Sequence, residues 1–267
     1  MEAKKGRREM KKFELTTEFI TNALGKKLFR IKALVEFGSV KAGELGGYAE
    51  KEENISQDGN AWVFGNAWVY GDAKVSDNAK VFGNAEVYGD AKVSDNAKVF
   101  GNAEVYGDAK VYGNAWVSDD ACVYGDAKVF DDAWVYGDAK VSDNAEVFGN
   151  AWVSDDAWVY GDAWVYGDAC VYGDACVYGD AKVSDNAEVS GDADYALVKG
   201  FGTEFRCTTF YRDKNKKIMV NCGCFHGDLE AFRKQVKETR SGKIAKEYLM
   251  IADLMEYHFT SEDSSDE

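Results

Sequence analysis

Few side chains in this sequence have the types and spacing that catalysis requires. The chain has two histidines, His226 and His258, so residues 60–191 hold no imidazole that could serve as a general base. No glycine-rich phosphate-binding loop pattern occurs either. These observations favour a protein that is not an enzyme and that carries no cofactor.

One group of residues has the chemistry of a metal site. Cys222, Cys224 and His226 lie together in the segment NCGCFHG, and Cys207 lies on the preceding predicted strand. Thiolate and imidazole are the usual ligands of zinc. However, C-x-C spacing places both sulfurs on one side of a strand, as it would for two small core residues. We therefore expect no metal, with zinc at these four residues as the alternative.

The charge of the protein is concentrated in its middle. The 267 residues carry a net charge of −15, and residues 60–191 alone hold 23 acidic residues and 8 lysines. Such a field repels nucleic acid and anionic membranes and attracts basic partners or cations. No stretch is long and apolar enough to span a bilayer, and the N-terminus lacks the apolar core of a signal peptide. We expect a cytoplasmic protein that binds neither nucleic acid nor membrane directly.

The acidic middle is a hexapeptide repeated 22 times without an insertion. Its form is [ND]-A-x-V-[FYS]-[GD], from NAWVFG at 60–65 to NAEVSG at 186–191. Side chains two residues apart on a strand point the same way, so alanine and valine face inward and position x faces outward. The remaining residues are types that accept the left-handed backbone angles of a corner. The chain must therefore turn every six residues.

The number of corners in one coil follows from an internal duplication. Residues 72–89 recur identically as residues 90–107, so the duplicated unit is 18 residues, or three hexapeptides. Three short strands and three corners make a triangular coil, and stacked coils pair their backbones. Proline is absent from the whole chain, which fits a backbone in which nearly every N–H is needed.

All 22 repeats match the motif of the hexapeptide-repeat family, in which an aliphatic residue follows a small residue by two places. The sequence resembles proteins of this family that form left-handed parallel β-helices. The resemblance implies a mainly β fold: a left-handed parallel β-helix of about seven coils with small α/β capping segments at both ends. Many members are acyltransferases with a histidine base, often beneath an inserted loop. This array has neither, which argues against acyl transfer.

An 18-residue coil sorts the outward positions into three vertical columns, one on each face. We expect all seven tryptophans to lie outside, with Trp116, Trp134 and Trp152 forming an apolar strip on one face and Trp158 and Trp164 on the other two faces. A soluble monomer rarely exposes such a strip. The family resemblance implies self-association into trimers through it, the alternatives being a foreign partner or mutual support along the column.

Charged residues also form columns. Lysines run up one face, and the corner beside them carries aspartates. We expect each aspartate to be a solvated corner residue that suits the turn, and interspersed acids to neutralise the lysines. The alternatives are a phosphorylated ligand on the lysines, and a cation or a partner that recognises an imitated phosphate backbone on the acids. The residues are Lys74, Lys92, Lys110 and Lys128, with Asp72, Asp90 and Asp108.

The flanks are suited to covering the first and last coils. The unpaired backbone N–H and C=O groups of these coils would otherwise pair with other chains. Residues 1–59 form the expected N-terminal capping segment, with a helix or a strand pair, and residues 60–198 form the β-helix. Residues 199–260 form the C-terminal α/β cap, with a hairpin around 213–217 and helices at 228–240 and 243–259. Residues 261–267 form an acidic tail that we expect to be disordered.

Both flanks, for example FRIKALVEFGSVKAGELGGYAEKEENISQDGNAWV, look like those of hexapeptide-repeat proteins in bacteriophage and prophage gene sets. This resemblance implies an accessory protein that acts in the bacterial host cytosol. Our leading hypothesis is an acidic binding protein that imitates nucleic acid and occupies a bacterial defence protein. The alternatives are an oligomeric sponge for a small nucleotide signal and a structural or assembly element of a phage particle.

Overall fold

Each hexapeptide forms one two-residue strand and one corner. The computed structural model describes residues 11–203, 205 and 207–260. In all 22 repeats alanine and valine are buried, most of them completely, and together they form one continuous core along the coil. The residue at the sixth position is glycine or aspartate, and almost every one has a positive φ, which turns the chain. Local sequence therefore produces both the strand and the corner.

The 18-residue period is confirmed, because each strand pairs in parallel with the strand one coil away, as in Lys74 with Lys92. The three columns form three sheets. Face 1 contains Trp62–Val63, Lys80–Val81, Lys98–Val99, Trp116–Val117, Trp134–Val135, Trp152–Val153, Cys170–Val171 and Glu188–Val189. Face 2 contains Trp68–Val69, Glu86–Val87, Glu104–Val105, Cys122–Val123, Lys140–Val141, Trp158–Val159 and Cys176–Val177. Face 3 contains Lys74–Val75, Lys92–Val93, Lys110–Val111, Lys128–Val129, Glu146–Val147, Trp164–Val165 and Lys182–Val183.

The solenoid has about eight turns, not about seven, because the chain ahead of the repeats adds an atypical turn. The strand Leu45–Ala49 pairs in parallel with the first strand of face 2, and Ile55 forms a parallel bridge with Val75 on face 3. A short 3-10 helix, Glu52–Asn54, lies between them. The buried Asn54 amide donates hydrogen bonds to the carbonyls of Gly71 and Ala73, at 3.1 and 2.9 Å. This turn lacks the hexapeptide motif, so the repeat count missed it.

The N-terminal cap is a strand pair and not a helix, the two possibilities that its sequence left open. Strands β1 (Phe13–Thr21) and β2 (Lys27–Ala33) are antiparallel and extend the sheet of face 2 through Leu45–Ala49. Lys12 lies beneath this cap, and its Nζ donates to the carbonyl oxygen of Ala61 at 3.0 Å. The cap thus supplies partners to the first coil.

The expectation that all seven tryptophans lie outside is wrong for Trp62. Its side chain is fully buried, edge-on to Phe13 and Phe37 at ring-centroid distances of 6.0 and 5.3 Å. Trp62 occupies an outward position of the first coil, but the cap covers that position. Its indole Nε1 has no hydrogen-bond partner among the described residues.

The C-terminal cap is a four-stranded antiparallel sheet packed on two helices. Its strands are Tyr195–Val198, Thr208–Arg212, Ile218–Cys222 and Phe225–Asp228, which follow a 3-10 turn at Asp192–Asp194. The two predicted helices are confirmed as α1 (Leu229–Thr239) and α2 (Gly242–Thr260). In the described part of the chain no helix is sufficiently long and apolar to cross a membrane. The predicted acidic tail lies outside the described residues.

Candidate binding surfaces

The structure distributes the predicted site residues over three places. The lysine and aspartate columns meet in one groove on face 3, and Trp116, Trp134 and Trp152 lie together on face 1. Trp158 and Trp164 stand on faces 2 and 3, apart from that strip. The predicted residues therefore do not form a single site.

The groove on face 3, which we call the charged groove, has a volume of about 710 Å³. It is lined by Asp72, Lys74, Asp90, Lys92, Asp108, Lys110, Asp126, Lys128, Asn144 and Glu146. Within the described residues, the ion pairs of these lysines and aspartates are Lys128 with Glu146 at 2.7 Å and Asp72 with Lys51 at 2.5 Å. Each of these two contacts raises the pKa of its lysine.

The expectation that neighbouring acids neutralise the lysine column is met by an ion pair at Lys128 and not at the other three lysines. Lys74, Lys92 and Lys110 are exposed, and across residues 11–203, 205 and 207–260 none has a carboxylate oxygen within 4.0 Å. The reason is geometric: the lysines extend from the flat strand and the aspartates from the preceding corner. The two columns run side by side without pairing.

The tryptophan strip, which consists of Trp116, Trp134 and Trp152, is stacked along the coil axis. Ring centroids are 4.6 Å apart for the first pair and 5.6 Å for the second, with nearly parallel planes. Trp134 and Trp152 nevertheless remain 37% and 44% exposed. The indoles support one another, and their outer edges are still available for contact.

Sequence reasoning missed a second row of carboxylates, which we call the acidic edge. It consists of Asp120, Asp138, Asp156 and Asp174, which occupy the corner between faces 1 and 2 in four successive coils. All four are exposed, and no lysine, arginine or histidine among the described residues forms an ion pair with them. The signal was present in the sequence, because this column changes from asparagine at positions 66, 84 and 102 to aspartate from Asp120 onward.

Exposed tryptophans border the acidic edge on both sides. In one coil Trp152 on face 1 precedes Asp156, and Trp158 on face 2 follows it; these two indoles are 44% and 42% exposed. Lys140 lies over the ring of Trp158 with its Nζ 4.6 Å from the ring centroid. Apolar side chains beside unpaired charges are the composition of a protein-binding surface.

A different set of aspartates has a structural role. At seven corners aspartate replaces the positive-φ glycine. The carboxylates of five of them accept a hydrogen bond from the corner glycine N–H of the next coil, at 3.1–3.4 Å: Asp95, Asp119, Asp131, Asp143 and Asp155. These carboxylates stabilise the stacking of corners.

A column of tyrosines at the corner between faces 2 and 3 contributes packing between successive coils. The rings of Tyr70, Tyr88, Tyr106 and Tyr124 are stacked 4.9–5.1 Å apart. The hydroxyls of Tyr70 and Tyr88 donate hydrogen bonds to Glu86 and Glu104, at 3.0 and 2.8 Å. Burial, together with these carboxylates, raises the pKa of both tyrosines above the usual range.

Two of the four candidate zinc ligands, Cys222 and His226, contact other side chains, and the Thr208 hydroxyl donates to the Cys222 sulfur at 3.1 Å. Nδ1 of His226 contacts the Asn221 side-chain oxygen at 2.6 Å, and its Nε2 contacts the carboxylate of Asp185. Burial raises the pKa of the Cys207 thiol to about 11, which disfavours the thiolate that zinc requires. Within the described ranges, no three His, Cys, Asp or Glu side chains are grouped so that they could hold a metal ion.

Comparison with known proteins found no matching family model and no significantly similar curated protein. The β-solenoid is therefore established by the structure itself.

Proposed function

We propose that this protein is a non-enzymatic binding protein that imitates nucleic acid and occupies the basic groove of a bacterial protein. The proposal includes its origin: a left-handed hexapeptide-repeat protein encoded by a phage, acting against a host defence in the bacterial cytosol. The observation that carries it is the acidic edge, four carboxylates in register without a cationic partner among the described residues.

The spacing and rigidity of the acidic edge favour this function. Adjacent strands lie about 4.8 Å apart, so the four carboxylates form a straight line of about 14 Å. A single DNA strand carries one charge per about 3.4 Å of helix axis, a similar linear density. Each coil is fixed by backbone hydrogen bonds to the next, such as Asp120 N to the carbonyl of Gly137 at 3.0 Å. A basic groove would meet this line with little loss of conformational entropy.

The bordering tryptophans add affinity that charge alone does not provide. Trp134, Trp152 and Trp158 are each more than a third exposed beside the acidic edge. Buried aromatic anchors contribute much of the binding energy at protein interfaces, while charges steer association. The partner is therefore a basic protein with apolar side chains beside its nucleic-acid groove.

The test is affinity capture from bacterial lysate followed by elution with a short DNA duplex. The matched control replaces the four aspartates of the acidic edge by asparagine, the residue that the same column carries at positions 66, 84 and 102. We expect the natural protein to retain a basic protein that DNA displaces, and the control to lose it while its circular dichroism and melting curve are unchanged. Equal retention by both, or no DNA-displaced protein, would contradict the proposal.

A nucleotide sponge is the second candidate, and one observation favours it. Three lysines lie over exposed or half-buried indoles, with Nζ 4.2–4.6 Å from the ring centroids: Lys98 over Trp116, Lys140 over Trp158 and Lys182 over Trp164. A base could stack beside such an indole while the lysine binds its phosphate, at a seam of the side-by-side trimer that the family resemblance implies. A thermal-shift screen of cyclic and linear nucleotides without any stabilising compound would exclude this function.

A further inference from the structure

The charged groove contains two columns of opposite charge at equal heights. In each of four coils the aspartate precedes the lysine by two residues, as in Asp90 and Lys92, so the two charges lie at almost the same level along the rod. Each column repeats at about 4.8 Å, a distance at which like charges repel. Among the described residues, ion pairs within 4.0 Å occur only at the two ends of the groove, between Lys51 and Asp72 and between Glu146 and Lys128.

A charge pattern of this form is complementary to a second copy of itself. A twofold axis parallel to the rod, lying in the face between the columns, exchanges the left and right columns and preserves height. It places the lysine column of each copy opposite the aspartate column of the other. A twofold axis across the rod would instead place lysine opposite lysine and aspartate opposite aspartate. Only the parallel arrangement brings opposite charges together in every coil.

We infer that two copies of this chain associate side by side and parallel through the charged groove. Lys92 of one copy then faces Asp90 of the second copy, and Lys110 faces Asp108, with the reciprocal pairs across the axis. The coils above and below contribute Lys74 with Asp72 and Lys128 with Asp126 in the same way. Lys74, Lys92 and Lys110, which have no carboxylate oxygen within 4.0 Å among the described residues of their own copy, receive one from the second copy.

The energetics predict a reversible dimer. Exposed ion pairs are individually weak, and each coil of the groove supplies two of them across the axis. Pairing also removes the repulsion within each column. Because these charges remain near solvent, salt weakens the association.

This dimer goes beyond the proposed function and does not depend on it. The acidic edge lies at the corner between faces 1 and 2, on the side of the rod opposite face 3. Pairing through face 3 leaves both acidic edges exposed and directed away from each other. The dimer therefore presents two copies of the binding surface.

Sedimentation velocity with a charge exchange tests the pairing. The substitutions Lys92→Glu and Lys110→Glu make the centre of the groove acidic and leave Lys74 and Lys128 in place, and glutamate already occupies the same strand position at Glu86 and Glu104. The substitutions Asp90→Lys and Asp108→Lys make it basic. We expect the natural protein to be a dimer at about 50 mM salt and a monomer near 500 mM. Each variant alone is expected to dimerise at least tenfold more weakly, and an equimolar mixture to form a heterodimer.

Two further variants keep the test decisive. Lys80→Glu with Lys98→Glu makes the same change of charge on face 1 and is expected to leave the dimer intact. Asp90→Asn with Asp108→Asn weakens the dimer without altering the corner, since Asn144 occupies that column. A monomer at low salt, a dimer that the groove variants leave intact, a trimer, or folded exchange variants that fail to combine would each overturn the inference.

Discussion

Trp62 shows that the role of a residue depends on its place in the coil as well as on its position in the repeat. Trp62 and Trp134 occupy the same slot of the hexapeptide on the same face. Trp62 is fully buried and Trp134 is 37% exposed, because the N-terminal cap lies over the first coil only. The repeat alone therefore predicts whether a side chain points into or out of the coil, and it does not predict whether an outward side chain is buried.

Substitutions at these two tryptophans separate packing from hydrogen bonding. The Trp62 ring packs on Phe13 and Phe37, but its Nε1 has no hydrogen-bond partner in the part of the chain that the structure describes. We expect Trp62→Phe to cost less than about 1.5 kcal/mol in the free energy of unfolding, and Trp62→Ala about 3–5 kcal/mol. The control, Trp134→Phe, should change it by less than about 0.5 kcal/mol. Guanidinium unfolding measures all three, and a small loss for Trp62→Ala would refute burial beneath the cap.

At the scale of the element, the corner is what holds the coils in register. Gly125 and Asp143 occupy the same corner in successive coils, with φ of 70° and 57°. A Cβ on Gly125 would lie 2.9 Å from the Asp143 backbone nitrogen. The Asp143 carboxylate accepts a hydrogen bond from the Gly161 N–H at 3.2 Å. Glycine provides close approach, and aspartate provides a side-chain bond between coils.

These differences predict a ranked series of melting temperatures. Asp143→Asn should be nearly neutral, because asparagine tolerates a positive φ and keeps an acceptor oxygen. Asp143→Ala should lose about 1 kcal/mol through strain and the missing hydrogen bond. Gly125→Ala should lose about 2 kcal/mol or more, because the new Cβ meets backbone that cannot move freely. Calorimetry of the four proteins gives the order, and an alanine at position 125 as stable as glycine would contradict it.

The sequence predicted the regular elements and not the exceptions to them. The period of 18 residues predicted every strand pairing between repeats, because each coil repeats one local conformation. The additional turn at Leu45–Ala49 has no hexapeptide motif, and its place depends on long-range pairing with face 2. The groove residues were predicted to be neighbours, but the lack of ion pairs at Lys74, Lys92 and Lys110 among the described residues depends on side-chain directions that spacing does not specify. The acidic edge was visible as a column of aspartates and became significant once its exposure was known.

At the scale of the whole molecule, the sides of the rod differ in chemistry. Face 3 carries two neighbouring columns of opposite charge, face 1 carries the tryptophan strip, and the corner between faces 1 and 2 carries the acidic edge. A triangular solenoid keeps such surfaces apart and rigid, because each residue position returns to the same side every coil. Separate partners can therefore bind without competing for one surface.

The salt dependence of binding to the captured partner tests the central claim most directly. The binding affinity is measured between about 50 and 200 mM salt for the natural protein and for the variant with asparagine at positions 120, 138, 156 and 174. Each protein gives one slope of affinity against salt concentration. We expect the affinity of the natural protein to fall about tenfold or more across this range, and the variant to bind more weakly with a shallower slope. An affinity that salt leaves unchanged, or equal slopes for the two proteins, would contradict the claim that the acidic edge imitates nucleic acid.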